Sequence, residues 1–150
     1  MVFRIKKEEK NFFDLLPLDW QQSIVPHWQN IKQYATVYVL EVDKQICAGG
    51  IVFNSSIPDI ENYLKEANFW FSKNYHYIGY VWVPLEKRNN NYGSLWVQHL
   101  FSENSKQNYW LTTEEKKLRH FYEKAGFTFV KHLYNNGLEE DLFVYEAISF

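Results

Sequence analysis

The run YHYIGYVWV, residues 75 to 83, restricts the possible folds of this chain more than any other stretch. It is almost continuously apolar rather than alternating, which is typical of a strand that is covered on both faces. Such a strand needs neighbours in a sheet and helices above and below that sheet. We therefore predict that residues 75 to 83 form a central strand packed between helical layers.

Other segments have the composition of strands. Residues 35 to 42 and 46 to 53 are rich in β-branched and aromatic residues and are joined by a short polar turn, so they predict a hairpin. Gly49 and Gly50 inside its second strand indicate a bulge or the close approach of another group. Further strands are predicted at residues 2–6, 108–113, 127–133 and 140–148, with Asn135, Asn136 and Gly137 in the turn between the last two.

Helical spacing of apolar residues marks most of the remaining chain. Helices are predicted within residues 11–28, over residues 58–71, from about residue 94 onward, and over residues 114–127. Pro17 and Pro26 interrupt the first of these, and Pro58 occupies a tolerated first-turn position in the second. Ser94 is expected to be the N-cap of the third helix, and Gly126 is expected to end the fourth.

This order of elements predicts one α/β (α+β) domain over residues 1–150. We expect a mixed, mostly antiparallel central sheet of about six to seven strands flanked by helices. The composition, 46% hydrophobic and 19% aromatic, is typical of a folded core and not of a disordered chain.

Charge and cysteine content exclude several broad classes of protein. With 16 basic and 18 acidic residues, the chain shows no general attraction for nucleic acid or for an acidic membrane. Cys47 is the only cysteine, so no intrachain disulfide forms, and its strand context predicts a buried thiol. We see neither a bilayer-spanning apolar run nor a signal-peptide core, and expect a cytoplasmic protein.

The stretch KRNNNYGSLWVQHLF, residues 87 to 101, concentrates turn-forming residues directly before a predicted helix. Free backbone N–H groups at a helix N-terminus form a favourable site for an anion, especially a phosphate. This loop is therefore the first candidate for a ligand site.

Two motifs in the chain resemble those of the GCN5-related N-acetyltransferase (GNAT) superfamily. The family pattern Arg/Gln-x-x-Gly-x-Gly/Ala, between a strand and a helix, is matched by Arg88, Asn91 and Gly93. Asn91 stands where the family has its first glycine, and asparagine is among the residues that adopt positive φ most readily. Pro84 lies four residues before Arg88, one more than in many members.

The second motif, Ala-x-x-x-Tyr-x-x-x-Gly-Phe in the family, is matched by LRHFYEKAGF, with Leu118 at the alanine position and Tyr122 at the tyrosine. Glu115 replaces an asparagine that is common in the family. The resemblance covers residues 76 to 132 and extends to the hairpin at 35 to 53, whereas the helix near residues 57 to 72 is an addition. Each motif alone is weak, but the ordered pair is specific.

The resemblance implies a site for acetyl-CoA as cosubstrate. Main-chain groups of Val81, Trp82 and Val83 would pair with the pantetheine arm, as an added strand does. The pyrophosphate would lie on the loop and helix start formed by Arg88, Asn89, Asn90, Asn91, Tyr92, Gly93 and Ser94. Tyr122 would protonate the departing thiolate, although its position on an apolar stripe also suits a core tyrosine.

The resemblance also implies an amine acceptor, either a small molecule or a peptide, and allows a homodimer. Candidates for the base that deprotonates the amine are Glu41, His76, Glu86 and Glu115, each of which is more commonly an ordinary surface or sheet-end residue. The histidines and Cys47 show no metal-ligand spacing, so no metal is expected. Two alternatives stay open: a non-catalytic domain that binds CoA or a partner protein, and a purely structural domain.

Overall fold

The computed structural model describes residues 1–6 and 9–147. Its sheet contains seven strands: β1 (Val2–Ile5), β2 (Ala35–Val42), β3 (Gln45–Phe53), β4 (Tyr75–Trp82), β5 (Asn108–Thr113), β6 (Thr128–Asn135) and β7 (Leu138–Tyr145). Their order is β1-β2-β3-β4-β5-β7-β6. All neighbours are antiparallel except β4 and β5, which run parallel. The predicted mixed sheet, with residues 75 to 82 at its centre, is confirmed.

Helices cover both faces of the sheet. The α-helices in the described part of the chain are α1 (Lys10–Phe13), α2 (Leu18–Ile24), α3 (Trp28–Ile31), α4 (Leu64–Ser72), α5 (Tyr92–Glu103) and α6 (Arg119–Lys124). Short 3₁₀ helices occur at Val25–His27, Lys32–Tyr34, Pro58–Tyr63, Leu85–Lys87 and Lys116–Leu118. Pro17 and Pro26 separate the N-terminal helices as predicted, because neither ring fits a helix interior.

The core has two parts, one on each face of the sheet. On one face, α1 to α4 bury Phe12, Ile24 and Trp70 against the strands. On the other, α5 and α6 bury residues such as Trp96 and Tyr122. Strand β5 shows the alternation directly, since Trp110 belongs to the first part whereas its neighbours Tyr109 and Leu111 belong to the second. We call these two sides the α1–α4 face and the α5–α6 face.

Gly49 and Gly50 lie where the prediction placed a bulge and a close approach. A Cβ atom on Gly49 would lie 2.4 Å from the Phe12 ring, and one on Gly50 would lie 2.6 Å from the Trp96 ring. Helices from both faces therefore approach the sheet at the same point, where only glycine leaves room. The register between β3 and β4 also shifts here.

Several element boundaries differ from the predictions. The predicted helix at 58–71 is a 3₁₀ turn followed by α4, because Tyr63 between them has a non-helical backbone. Helix α5 begins at Tyr92 with Asn91 as N-cap, so the prediction of Ser94 as N-cap is wrong. The last strand is Leu138–Tyr145, starting and ending earlier than predicted, and the predicted terminal residue Ile148 lies outside the described residues.

Helix α6 is also shorter than predicted, because a 3₁₀ turn precedes it, and it ends at Lys124, two residues before Gly126, the glycine that was expected to stop it. Gly126 has a φ of +108°, a conformation that few other residues adopt. Among the described residues, none of the helices combines the length and apolar character needed to cross a bilayer.

Candidate functional site

Strands β4 and β5 separate over half their length. They pair only through Tyr75–Asn108, His76–Tyr109 and Tyr77–Trp110, and beyond these pairs each strand continues without the other. Half-buried residues 80 to 82 of β4 follow this point. On the side of β4 that faces β5, the main-chain N–H and C=O groups beyond Tyr77 are therefore not used by a parallel ladder and are available to another partner.

A bulge at Tyr80 accompanies the separation. Ile51 pairs with Gly79 and Gly49 pairs with Trp82, so β4 advances three residues where β3 advances two. Within this interval, Tyr80 has a φ of 57°. This left-handed conformation is rare for a bulky aromatic residue and costs roughly 1–3 kcal/mol. The extra residue restarts the alternation, so that the Tyr80 side chain joins Tyr77 on the α1–α4 face, whereas Val81 contacts the α5–α6 face.

The predicted anion loop has the backbone geometry of an anion-binding nest. Asn89 and Asn91 both have a φ of 66°, on either side of Asn90. The first helical hydrogen bond of α5 runs from the N–H of Leu95 to the carbonyl of Asn91, at 3.1 Å. Within the described chain, the N–H groups of residues 89 to 94 donate to no other group. The positive φ expected at Asn91 is confirmed.

Side chains hold this loop against the end of β4. The Asn90 amide donates to the carbonyls of Lys87 and Arg88, each at 3.1 Å. Arg88 Nε donates to the Val83 carbonyl at 3.0 Å, and its guanidinium lies 4.7 Å from the Trp82 ring centroid. The Arg88 side chain, which was predicted to contact the pyrophosphate, is thus folded back on β4. There it bonds the carbonyl of Val83, one of the main-chain groups predicted to pair with pantetheine.

Gly93 brings the two sequence motifs together. A Cβ atom on Gly93 would lie 3.4 Å from the Phe121 ring of α6 and 3.7 Å from a methyl group of Val83. The next residue of α6, Tyr122, packs on Phe143 of β7 with ring centroids 5.6 Å apart. Because Phe121 lies beside the start of α5 and Tyr122 packs on β7, helix α6 lies between these two elements on the α5–α6 face.

The Tyr122 side chain is 7% exposed, and burial raises its pKa to about 12. Its hydroxyl forms no hydrogen bond with another described residue, which differs from a core tyrosine whose hydroxyl is satisfied within the protein. At neutral pH the phenol is therefore fully protonated, and it has a proton to donate.

Two hydroxyl relays on the α1–α4 face end in carboxylates. Ser23 Oγ donates to Asp59 Oδ1 at 3.0 Å, so the Tyr80 hydroxyl, 2.8 Å from Ser23 Oγ, acts as donor to Ser23. By the same argument, the Tyr63 hydroxyl donates to Thr112 Oγ1, 3.1 Å away, which in turn donates to a Glu140 oxygen at 3.2 Å. We call these six residues the acidic cluster: Ser23, Asp59, Tyr63, Tyr80, Thr112 and Glu140.

No protein-family model and no curated protein sequence matches this chain. Solved structures do match it in fold. An aminoglycoside 6′-N-acetyltransferase complexed with coenzyme A aligns with a TM-score of 0.73 at 13% identity, over 100% of this chain and 99% of that one. The aminoglycoside 6′-N-acetyltransferase from Enterococcus faecium aligns with a TM-score of 0.70 at 14% identity, over 100% and 99%. A Desulfovibrio desulfuricans protein assigned to the GNAT family of acetyltransferases aligns with a TM-score of 0.68 at 12% identity, over 97% and 98%.

The chain has the GNAT fold. This confirms the fold that the two motifs implied, and the alignments extend over the N-terminal helices, where the sequence resemblance did not reach. Within the GNAT fold of this chain, the predicted loop follows β4 directly, and Tyr122 lies on α6 on the α5–α6 face. The roles assigned to them stay predictions.

The four candidate bases lie at different places in the GNAT fold. Glu41 and Glu86 line one cavity of about 540 Å³ beside the β2–β3 turn, where Glu41 pairs with Arg4 at 2.8 Å. His76 lies in the half of β4 that is paired with β5, and burial lowers its pKa. Glu115 is exposed after β5. The structure thus brings only Glu41 and Glu86 together.

A group with potential metal-ligand atoms lies on β6 and β7. One ligand atom each from His132, Glu139 and Asp141 lies within 4.8 Å of the others. The Lys116 ammonium contacts both carboxylates, with Nζ 2.7 Å from Asp141 Oδ1. Because a lysine already neutralises these carboxylates, we interpret the group as an ion-pair network. Sequence spacing did not reveal it, because the residues meet only across the β6–β7 hairpin.

The acidic cluster was also missed by the sequence analysis. Its six residues come from α2, the 3₁₀ turn at Pro58–Tyr63, and three strands, so no local motif joins them. The one available signal was the added segment at 57 to 72, since two members, Asp59 and Tyr63, belong to it.

Proposed function

We propose that this protein is an acetyl-CoA-dependent N-acetyltransferase that acetylates a primary amine of a small molecule. The observation that carries the proposal is the opening between β4 and β5, together with the unpaired N–H groups of the loop at residues 89 to 94, which follows β4. A protein of the same fold has been solved with coenzyme A bound, which supports the choice of cosubstrate.

The residues around the opening suit the parts of this cosubstrate. Main-chain groups of Val81, Trp82 and Val83 would bind the amides of the pantetheine arm by strand addition. The nest at Asn89 to Asn91 and the positive end of α5 would bind the pyrophosphate. Arg88 would add a charge-assisted contact through the guanidinium nitrogens that the Val83 carbonyl does not use.

Acetyl-CoA supplies the acetyl group as a reactive thioester. When the amine nitrogen forms its bond to the carbonyl carbon, the carbon–sulfur bond breaks and its electron pair remains on sulfur. The Tyr122 hydroxyl donates a proton to that thiolate, and the proton released by the attacking nitrogen balances this transfer. The phenol is protonated at neutral pH and so has a proton to donate, and burial, which raises its pKa to about 12, makes it a weaker acid than an exposed tyrosine.

A thiol-release assay tests this function. The purified protein is incubated with acetyl-CoA and a panel of primary amines, and the products are identified by mass spectrometry. We expect amine-dependent thiol release together with a product 42 Da heavier than its amine, the increment of one acetyl group. CoA binding without amine-dependent release would instead support the non-catalytic alternative, and the absence of both would support a structural domain.

A further inference from the structure

The bulge at Tyr80 lies in the part of β4 that is least regularly paired. Pairing with β5 ends at Tyr77, and on the other side of the strand Tyr80 and Val81 together oppose the single residue Gly50 of β3. A bulge bends its strand and increases the local twist. The bulge therefore sets the direction in which β4 continues into residues 81 to 83, whose main-chain groups are proposed to bind pantetheine.

The backbone at Tyr80 is strained. Its φ of 57° lies in the left-handed region, which bulky aromatic residues rarely adopt. Neither neighbouring strand of the described sheet pairs with Tyr80 in regular register. Because strain of this kind persists only where other contacts fix it, the contacts of the Tyr80 side chain decide whether the bulge is kept.

Helix α2 contacts both the ring and the hydroxyl of Tyr80. The Trp20 ring lies edge-on to the Tyr80 ring, with centroids 6.0 Å apart, and edge-on to the Trp82 ring, with centroids 5.4 Å apart. Ser23 Oγ lies 2.8 Å from the Tyr80 hydroxyl. Trp20 and Ser23 are three positions apart and so share one face of the helix. Two residues of α2 thus hold the two β4 side chains on either side of Val81.

The hydroxyl contact continues to a carboxylate. Ser23 Oγ donates to Asp59 Oδ1 at 3.0 Å and accepts the hydrogen bond from Tyr80. Burial and the charge of Asp59 raise the pKa of Tyr80 against the opposing effect of its hydrogen bond with Ser23, so the phenol is protonated at neutral pH. Asp59 belongs to the added segment at 57 to 72. The relay therefore uses a part of the chain that the two family motifs do not include.

We propose that Tyr80 is a positioning residue for the cofactor. Its side chain, held by Trp20 and by the relay through Ser23 to Asp59, keeps β4 in the bulged conformation in which residues 81 to 83 offer their main-chain groups to pantetheine. Tyr80 acts through the backbone of β4 and not by contact with the reacting atoms. This inference rests on the proposed function for the identity of the ligand, but it does not require that acetyl transfer takes place.

Loss of the Tyr80 hydroxyl should weaken binding without removing a contact to the ligand. When only a fraction of the molecules have the conformation that binds, the apparent dissociation constant rises by the inverse of that fraction. One hydrogen bond changes such an equilibrium by a factor of roughly two to ten. The loss should appear with every ligand that contains the pantetheine arm, whether or not it contains the pyrophosphate.

Calorimetric titration with CoA, and with a pantetheine fragment that lacks the pyrophosphate, tests this role. The variants are Tyr80→Phe, which keeps the ring and removes the hydroxyl, Ser23→Ala, and the double variant. Tyr63→Phe is the matched control, because it removes a hydroxyl from the second relay on the same face but lies outside β4. Urea denaturation of each variant verifies that it is folded under the conditions of the titration.

We expect both single variants to bind CoA and the fragment about fivefold more weakly than wild type does. The double variant should be no weaker than either single variant, because both substitutions remove the same hydrogen bond. Tyr63→Phe should bind both ligands as wild type does. Four results would each overturn the positioning role: unchanged affinity in Tyr80→Phe, losses that add in the double variant, a loss for CoA but not for the fragment, or an equal loss in Tyr63→Phe.

Failure of this inference and failure of the proposed function give different results. If CoA binds equally to wild type and to every variant, the positioning role is wrong and the acetyltransferase function is unaffected. If binding depends on Tyr80 as expected but no amine causes thiol release, the positioning role stands and the acetyltransferase function is wrong. If wild type binds neither CoA nor the fragment, both proposals are wrong.

Discussion

The Tyr80 hydroxyl lies 2.8 Å from Ser23 Oγ because a bulge turns Tyr80 out of the regular alternation of β4. Without that extra residue, the tyrosine would point to the α5–α6 face and the relay to Asp59 would be broken. A strained backbone and an open strand edge thus coincide at one position. Such strain persists only when the surrounding contacts fix it, and here the rings of Trp20 and Phe53 pack against Tyr80.

Replacement of Tyr122 by phenylalanine tests the proton donor. We expect kcat to fall by about 10²- to 10⁴-fold, because general acid catalysis is typically worth that factor. CoA affinity should be unchanged, since the ring packing is conserved. Tyr109→Phe is the matched control, because Tyr109 is also buried on the α5–α6 face but lies on β5. Equal turnover in wild type and Tyr122→Phe would rule out the assigned role.

Gly93 is expected to tolerate a methyl group but not a charged side chain. A Cβ atom there would be in ordinary van der Waals contact with Phe121 and Val83, so Gly93→Ala should bind CoA as wild type does. Gly93→Glu places a negative side chain among the loop amides and should weaken CoA binding more than tenfold. Calorimetry on both variants decides this, and equal CoA affinities would mean that the pyrophosphate lies elsewhere.

Asn91 is expected to be needed for its backbone conformation. Its φ of 66° is accessible to asparagine and glycine, whereas alanine adopts it at a cost of about 1 kcal/mol. Asn91→Ala should therefore lower the free energy of unfolding by about that amount in urea denaturation, and Asn91→Gly should restore most of it. As a control, Asn90→Ala should not show this pattern, since no positive φ occurs there. Equal losses in the alanine and glycine variants at position 91 would implicate the side chain instead.

The Lys116 network predicts how stability depends on pH. A hydrogen bond from Lys116 lowers the pKa of Glu139 below its ordinary value of 4.5. For Asp141, burial raises the pKa, but Lys116 and His132 outweigh burial and leave it below 3.8. Carboxylates with lowered pKa values stabilise the folded state above those ordinary values and lose this effect as the pH falls through the folded-state values.

Lys116→Met should therefore lower the melting temperature at pH 7, and the difference from wild type should shrink as the pH falls below 3.8. Lys117→Met is the control, because the exposed Lys117 makes no ion pair with another described residue. Thermal denaturation across this pH range provides the measurement. A difference that did not change with pH would argue against an electrostatic cause.

Glu140 should have the opposite pH behaviour. Its raised pKa means that its protonated form is favoured in the folded state, so stability is highest below the ordinary value of 4.5 and falls as the pH rises through the folded-state value. Glu140→Gln removes this penalty and should raise the melting temperature at pH 7 but not at pH 4. A lower melting temperature at pH 7 would show that the ionised carboxylate is stabilised by its surroundings.

Local sequence patterns predicted the fold and the loop well. Continuous apolar character identified β4, and turn residues located the anion loop. Asn91 was predicted to have positive φ because it stands at a glycine position of the motif and asparagine adopts positive φ readily. Each of these features depends on residues that are adjacent in the chain. The N-cap was misplaced from Asn91 to Ser94, because serine is a favourable cap by side chain whereas here the backbone turn decides where α5 begins.

Features that depend on tertiary contacts could not be predicted. Nothing in the sequence around Tyr80 marks it as a bulge, since the same apolar run could form a regular strand. The acidic cluster forms only when Thr112 and Glu140 on neighbouring parts of the sheet meet Tyr63 of the added segment. Fold topology, and not local propensity, brings these polar groups together.

The most direct measurement for the central claim is calorimetric titration of the protein with acetyl-CoA, CoA and a pantetheine fragment that lacks the pyrophosphate. The cofactor site at residues 81 to 94 predicts micromolar binding of the first two. The fragment should bind at least tenfold more weakly, a loss of about 1.4 kcal/mol, because it cannot use the loop amides. Absence of binding, or equal affinity with and without the pyrophosphate, would contradict the site proposed at the anion loop.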